Sequence, residues 1–160
     1  FTSLHLGDFS HNHQFRPGLD WRGNLGYAWY SDDNRRATLY QGLAWQALGQ
    51  PRMGLEFSPH VYWAGYSHRN PAYFSPSSYL ALGLGVDFHR QLFRLPTLIL
   101  QGTVQGVNHH GQWGPALQGL AALEWEWVHN FYTDLHVFYF REWVDNYSLF
   151  SAGVSFRYRF

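Results

Sequence analysis

The sequence predicts an all-β fold, an antiparallel transmembrane β-barrel of the outer-membrane kind, with about eight to nine strands visible. Three observations lead there. Apolar and polar residues alternate with period two through segment after segment. No run approaches the roughly 18 consecutive apolar residues of a spanning helix, whereas a barrel strand needs only about 10 residues of alternating character. The connections alternate too, tight turns at Gly49 to Arg52 and His129 to Asn130 against longer loops at Ser67 to Ser78 and His109 to Ala116. Arg90 to Pro96 breaks that rule mildly.

The elements follow in order. From Leu19, Trp21, Leu25, Tyr27 and Trp29 share one face and Arg22, Asn24 and Ala28 the other. Between Thr38 and Leu48, Leu39, Leu43, Trp45 and Ala47 oppose Thr38, Tyr40 and Gln46. Leu55, Phe57, Val61 and Trp63 oppose Glu56, Ser58 and His60. The clearest row is Leu80, Leu82, Leu84, Val86 and Phe88, set against Ala81, Gly83, Gly85, Asp87 and His89. Leu100 and Val104 oppose Gln101, Thr103 and Gln105, and Leu117, Ala121, Leu123, Trp125 and Trp127 oppose Gln118, Ala122, Glu124 and Glu126. Leu135, Val137 and Tyr139 oppose Asp134, His136 and Glu142. The last segment sets Ala152, Val154, Phe156, Tyr158 and Phe160 against Ser151, Gly153, Ser155, Arg157 and Arg159. A fainter ninth segment runs from Thr2 to Asp8.

Composition excludes several classes. The 160 residues suit one domain, 1–160, with no repeat period and no linker. A hydrophobic content of 46% and zero net charge argue against disorder and against a general attraction to nucleic acid. The absence of cysteine excludes disulfides and cysteine-zinc sites. Aromatic residues gather near segment ends, as Trp21, Trp29, Trp125 and Trp127 do, which fits the girdles of a membrane barrel better than the spread core of a sandwich. All four glutamates, Glu56, Glu124, Glu126 and Glu142, fall on the polar row. Arginine facing lipid at mid-depth costs about 2–4 kcal/mol, so the polar row is expected to line a lumen.

The chain ends in Phe-Arg-Tyr-Arg-Phe, which resembles the terminal strand of bacterial outer-membrane barrels, where a final Phe signals assembly. That resemblance implies the outer membrane, contact with lipid and lipopolysaccharide, and recognition of Phe160 by the barrel assembly machinery. Autonomous bacterial barrels have an even strand number. Either Thr2 to Asp8 is therefore not a strand, or the sequence is the end of a larger barrel.

Asn70-Pro71-Ala72-Tyr73-Phe74-Ser75-Pro76 resembles the Tyr-Phe-Ser/Asn-Pro element of carboxyl-terminal porin domains in exopolysaccharide exporters, the poly-N-acetylglucosamine export porin and its cellulose-exporting relatives. Phe88-His89-Arg90, Gly111-Gln112-Trp113-Gly114 and Arg141-Glu142-Trp143-Val144-Asp145 keep a similar order, so the likeness covers roughly residues 55 to 160. It implies the carboxyl-terminal half of a sixteen-stranded barrel that exports a linear, partly de-N-acetylated polysaccharide. The family's barrel follows periplasmic helical repeats, which this chain lacks.

On that reading Glu56, Asp87, Glu124, Glu126, Asp134 and Glu142 form an acidic wall with Gln101, Thr103, Gln105 and Gln118 beside it, a surface that binds polymer weakly enough to release it. The alternative is that these acids pair with Arg22, Arg157 and Arg159 and plug the lumen, as an anchoring barrel would. Loop aromatics Tyr66, Tyr73, Phe74 and Trp113 are candidates for stacking on sugars or for interface anchoring. No cofactor and no metal site is expected, because His109 and His110 are adjacent and point to opposite faces. A lipid A deacylase is the enzymatic alternative; Ser67-His68 with Glu142 or Asp145 supplies the residue types without a nucleophile elbow.

Overall fold

The computed structural model describes residues 3–68, 76–92, 96–109, 111–128 and 131–158. Nine strands follow one another: β1 (Ser3–Arg16), β2 (Leu19–Tyr30), β3 (Arg35–Gln50), β4 (Met53–Tyr66), β5 (Tyr79–Gln91), β6 (Pro96–His109), β7 (Gln112–Val128), β8 (Phe131–Glu142) and β9 (Tyr147–Tyr158). Each pairs antiparallel with the next in a single sheet ordered β1 to β9, and no helix occurs among the described residues. The sheet is open, with β1 and β9 as its edges. Strand lengths run from 12 to 17 residues, longer than the about 9–11 that cross a hydrocarbon core.

Neighbouring residues show which face is which. Ala81 is 1% exposed and Leu82, the next residue, 49%. Ala28, Ala44, Ala64, Ala116 and Ala122 are buried like Ala81, while Leu25, Leu43, Leu84, Val104, Val137 and Val154 are exposed. The sheet curls toward its small and polar row, crowding side chains on the concave side and spreading large apolar ones over the convex side. Aromatic pairs border the aliphatic convex band at one rim, where β3, β7 and β9 end. Trp45 stacks on Phe57 at 5.8 Å, Trp125 meets Trp127 at 5.4 Å, and Phe131 stacks on Phe156 at 6.2 Å. The row assignments made from periodicity hold except at the end of β3, where a bulge between Gln46 and Leu48 shifts the parity and sets Leu48 in place of Ala47 opposite Leu55 on the apolar row.

Two boundaries differ from expectation. β1 does not stop at Asp8; it continues to Arg16, paired with β2 down to Arg16↔Leu19 and closed by a turn in which Gly18 takes φ 78°. Ser10, Asn12 and Gln14 on one face and His11 and His13 on the other hide the alternation, since both rows are polar. The second correction concerns His109 to Ala116. These residues are no long loop: β7 begins at Gln112, and the β6 ladder runs on through Asn108↔Trp113 and Gly106↔Pro115. Gly111 supplies the turn with φ 79°. Gly114 and Pro115 signal a loop in sequence, yet both serve the strand. A side chain at Gly114 would meet Val144 Cγ2 at 2.7 Å, and the Pro115 carbonyl accepts a bond from Trp143 N at 3.2 Å. The rim carrying residues 67–78, called the upper rim here, thus owes its greater loop length to that one connection.

Candidate functional site: the concave face

Pairing in register carries the polar row across the sheet. Glu56 of β4 lies opposite Asp87 of β5, which lies opposite Gln101 of β6. One step higher, Thr103 faces Gln118, and Gln105 faces Ala116. Toward the lower rim Glu124 of β7 faces Asp134 of β8, with Glu126 one place further down opposite Tyr132. Two carboxylate pairs result, with Thr97, Ile99 and Gln101 of β6 and Leu120 and Ala122 of β7 between them on the same face. Like charges directly opposed in a sheet repel, so each pair calls for a cation.

Both pairs have one. Arg22 of β2 reaches over β3 to Glu56 with two parallel bonds, Nη1 to Oε1 at 2.9 Å and Nη2 to Oε2 at 3.0 Å, and lies 3.6 Å from Asp20. Its neighbour in β3 is Gly42, over which the Tyr40 ring lies, so that a Cβ there would meet the Tyr40 hydroxyl at 2.7 Å. Arg157 of β9 bonds Glu124 across β8 and sits 5.7 Å from the centre of the Tyr132 ring. His136 Nδ1 and Asp134 Oδ1 are 2.6 Å apart. Ion pairs that skip a strand belong to a curled, inward face. Arg22 and Arg157 thus take the pairing role foreseen for them, while Asp87 makes no ion pair among the described residues.

The upper end of the same face is built differently. Ala64, Tyr79, Ala81, Val107 and Ala116 form a buried cluster against which Tyr62, Phe140 and Val144 pack. The β8–β9 turn folds inward over it, fixed by Trp143 N on Pro115 O and by Val144 above Gly114. Beside the cluster lies a cavity of about 620 Å³ lined by Arg36, Tyr62, Tyr66, Tyr79, Phe140, Glu142 and Asp145 among others. Glu142 is on the concave face as predicted but does not belong to the wall. It is 5% exposed and sits at this mouth, with His109 and Asp145 close by. No sequence signal joins these three, because they come from the end of β6, the end of β8 and the following turn.

The remaining predicted residues divide. Trp113 is placed in β7 and not in a loop, and by parity it belongs to the convex row, 57% exposed at the upper rim. Tyr66 lines the mouth cavity. Tyr73, Phe74, His110, Arg159 and Phe160 lie outside the described residues. Ser67 Oγ is 3.3 Å from His68 Nδ1, but it donates to Asn34 Oδ1 at 3.0 Å and accepts from Arg35 N at 3.0 Å. The buried Asn34 fastens the β2–β3 turn to the 67–78 connection through these bonds and through His68. The acids nominated for that serine stand with His109 instead: His109 Nδ1 and Asp145 Oδ2 are 2.7 Å apart.

No family model matches the chain, and no curated protein matches it in sequence. Its fold is similar to the solved structure of a bacterial polysaccharide outer membrane secretin. The TM-score is 0.77 at 14% identity, over 96% of this chain and 58% of that one. At that identity the likeness establishes the fold, one antiparallel all-β sheet with an apolar convex face. The chain spans less than two thirds of the length of the secretin it resembles.

Proposed function

We propose that the chain is the carboxyl-terminal part of an outer-membrane β-barrel that exports a linear exopolysaccharide, of the poly-N-acetylglucosamine or cellulose kind, through a polar, acid-lined lumen. The observation that carries this reading is the contrast between faces. The convex side is aliphatic with aromatic ends, as lipid requires, while the concave side sets carboxylates beside Gln101, Thr103, Gln105 and Gln118. Two sheet edges without partners among the described residues suit a sheet completed by further strands, since exposed ladder groups are not tolerated in hydrocarbon. The secretin's greater length leaves room for such strands. Amides and hydroxyls offer a neutral sugar chain many weak, exchangeable bonds, and Asp87 adds attraction for a polymer carrying free amines. The chain's share is passage and no covalent chemistry. Lipid, lipopolysaccharide and the assembly machinery are its proposed membrane partners, the last through Phe160.

One observation favours a second reading. Arg22–Glu56 and Arg157–Glu124 are the salt bridges expected of a plugged, anchoring barrel. Secretion separates the two. With Asp87→Asn and Glu126→Gln in the full-length protein, export of a partly deacetylated amino-sugar polymer is expected to fall several-fold at unchanged barrel level in the outer membrane. Secretion equal to wild type would rule out the acid-lined passage.

A further inference from the structure

The mouth of the concave face brings together three groups that no part of the export reading uses. Ligand atoms of His109, Glu142 and Asp145 all lie within 4.8 Å of one another. His109 and Glu142 are buried, while the Asp145 side chain is 43% exposed in the turn above them. Two carboxylates crowd one imidazole there. Glu142 Oε1 is buried with no hydrogen-bond partner among the described residues, an unfavourable state for a carboxylate oxygen. Arg36 lines the same cavity but makes no ion pair with Glu142 among the described residues.

We propose that His109, Glu142 and Asp145 form a binding site for a divalent metal ion of the zinc class, which fastens the β8–β9 turn to the end of β6 across β7. One imidazole and two carboxylates are a mixed donor set that suits zinc better than calcium or magnesium, whose preferred shells are all oxygen. Donors around a tetrahedral ion at bond lengths near 2.1 Å stand roughly 3.4 Å apart. The His109–Asp145 distance of 2.7 Å therefore opens and the wider separations close, adjustments that a half-exposed aspartate in a turn can make. Three protein ligands leave a fourth position for water, and the adjoining cavity supplies the space. Tyr79 packs edge-on to His109 with ring centres 6.2 Å apart and steadies the ring. The two positive charges cancel those of Glu142 and Asp145, and the ion takes up the carboxylate oxygen that the protein leaves unanswered. This assignment does not depend on what passes through the lumen.

The test uses the full-length protein in detergent, stripped with chelator and titrated with Zn²⁺ by calorimetry and with Co²⁺ by visible absorption. One tight equivalent of Zn²⁺ is expected, with a rise in melting temperature. Asp145→Asn, which changes an exposed turn residue and leaves the fold intact, should weaken it by about tenfold or more and abolish the rise. His11→Ala with His13→Ala, on the far face, should leave it untouched. Zn²⁺ binding that survives Asp145→Asn and Glu142→Gln, binding no tighter than that of a variant lacking all three ligands, or preference for Ca²⁺ over Zn²⁺ would each overturn the assignment.

Discussion

The upper mouth and the middle of the concave face belong to the same row of the same strands, yet they are opposite environments. At the mouth Ala81, Val107 and Ala116 are sealed beneath Tyr62, Tyr79, Phe140 and the inward β8–β9 turn. In the middle Gln101 and Gln118 are exposed, and Arg22 with Glu56 keeps substantial contact with water. The alternation of a strand thus decides which side a residue takes, and whatever folds over that side decides how deep it lies. A carboxylate illustrates the difference. Glu56 is answered by a two-pronged guanidinium, while Glu142 shares its pocket with a second acid.

The comparison breaks first if the two regions are not both inside. Leu84→Arg, on the convex side, is expected to destabilise the full-length protein in lipid vesicles by about 2–4 kcal/mol, against at most about 0.5 kcal/mol for Gln101→Arg on the concave side. Denaturant titration of the two variants measures this, and the reverse order would turn the sheet inside out. A smaller effect separates mouth from middle. Ala81→Leu adds bulk at a fully buried position and should cost about 1–3 kcal/mol, whereas Gln118→Leu at the open middle should stay within about 0.5 kcal/mol. Equal costs would mean that the mouth is as loose as the middle.

Most of the sheet was legible in the sequence because period two is a local signal. Leu80 to Phe88 announces both the strand and its faces. The signal failed where both rows are polar, as in Ser10 to Gln14 of β1, and where turn-forming residues serve another purpose, as Gly114 does beneath Val144. The site was legible by face and not by partner. Parity put Glu56, Asp87 and Gln101 on one side, and register made them neighbours. That Arg22 would pass over β3 to reach Glu56 depends on the curl of the sheet, a property of nine paired strands together. The depth of Glu142 depends on a turn bending inward, which its own strand does not encode. His109 and Asp145 meet for the same reason, across 36 positions of chain.

The smallest expected effect gives the sharpest reading of the middle of the concave face. Arg22 and Glu56 have ideal paired geometry, but their side chains are 45% and 25% exposed, so water weakens what the geometry offers. Exposed ion pairs are worth about 0.2–1 kcal/mol, and this one should sit near the upper end, because its two bonds are parallel and one partner is half-buried. A double-mutant cycle with Arg22→Gln and Glu56→Gln measures the coupling without deleting bulk. It should come out below about 1 kcal/mol and shrink further at about 1 M salt, where charges are screened within about 3 Å. A coupling above about 3 kcal/mol, indifferent to salt, belongs to a pair removed from water. The middle would then be as dry as the mouth, and on the export proposal a polymer would have to break that pair to pass.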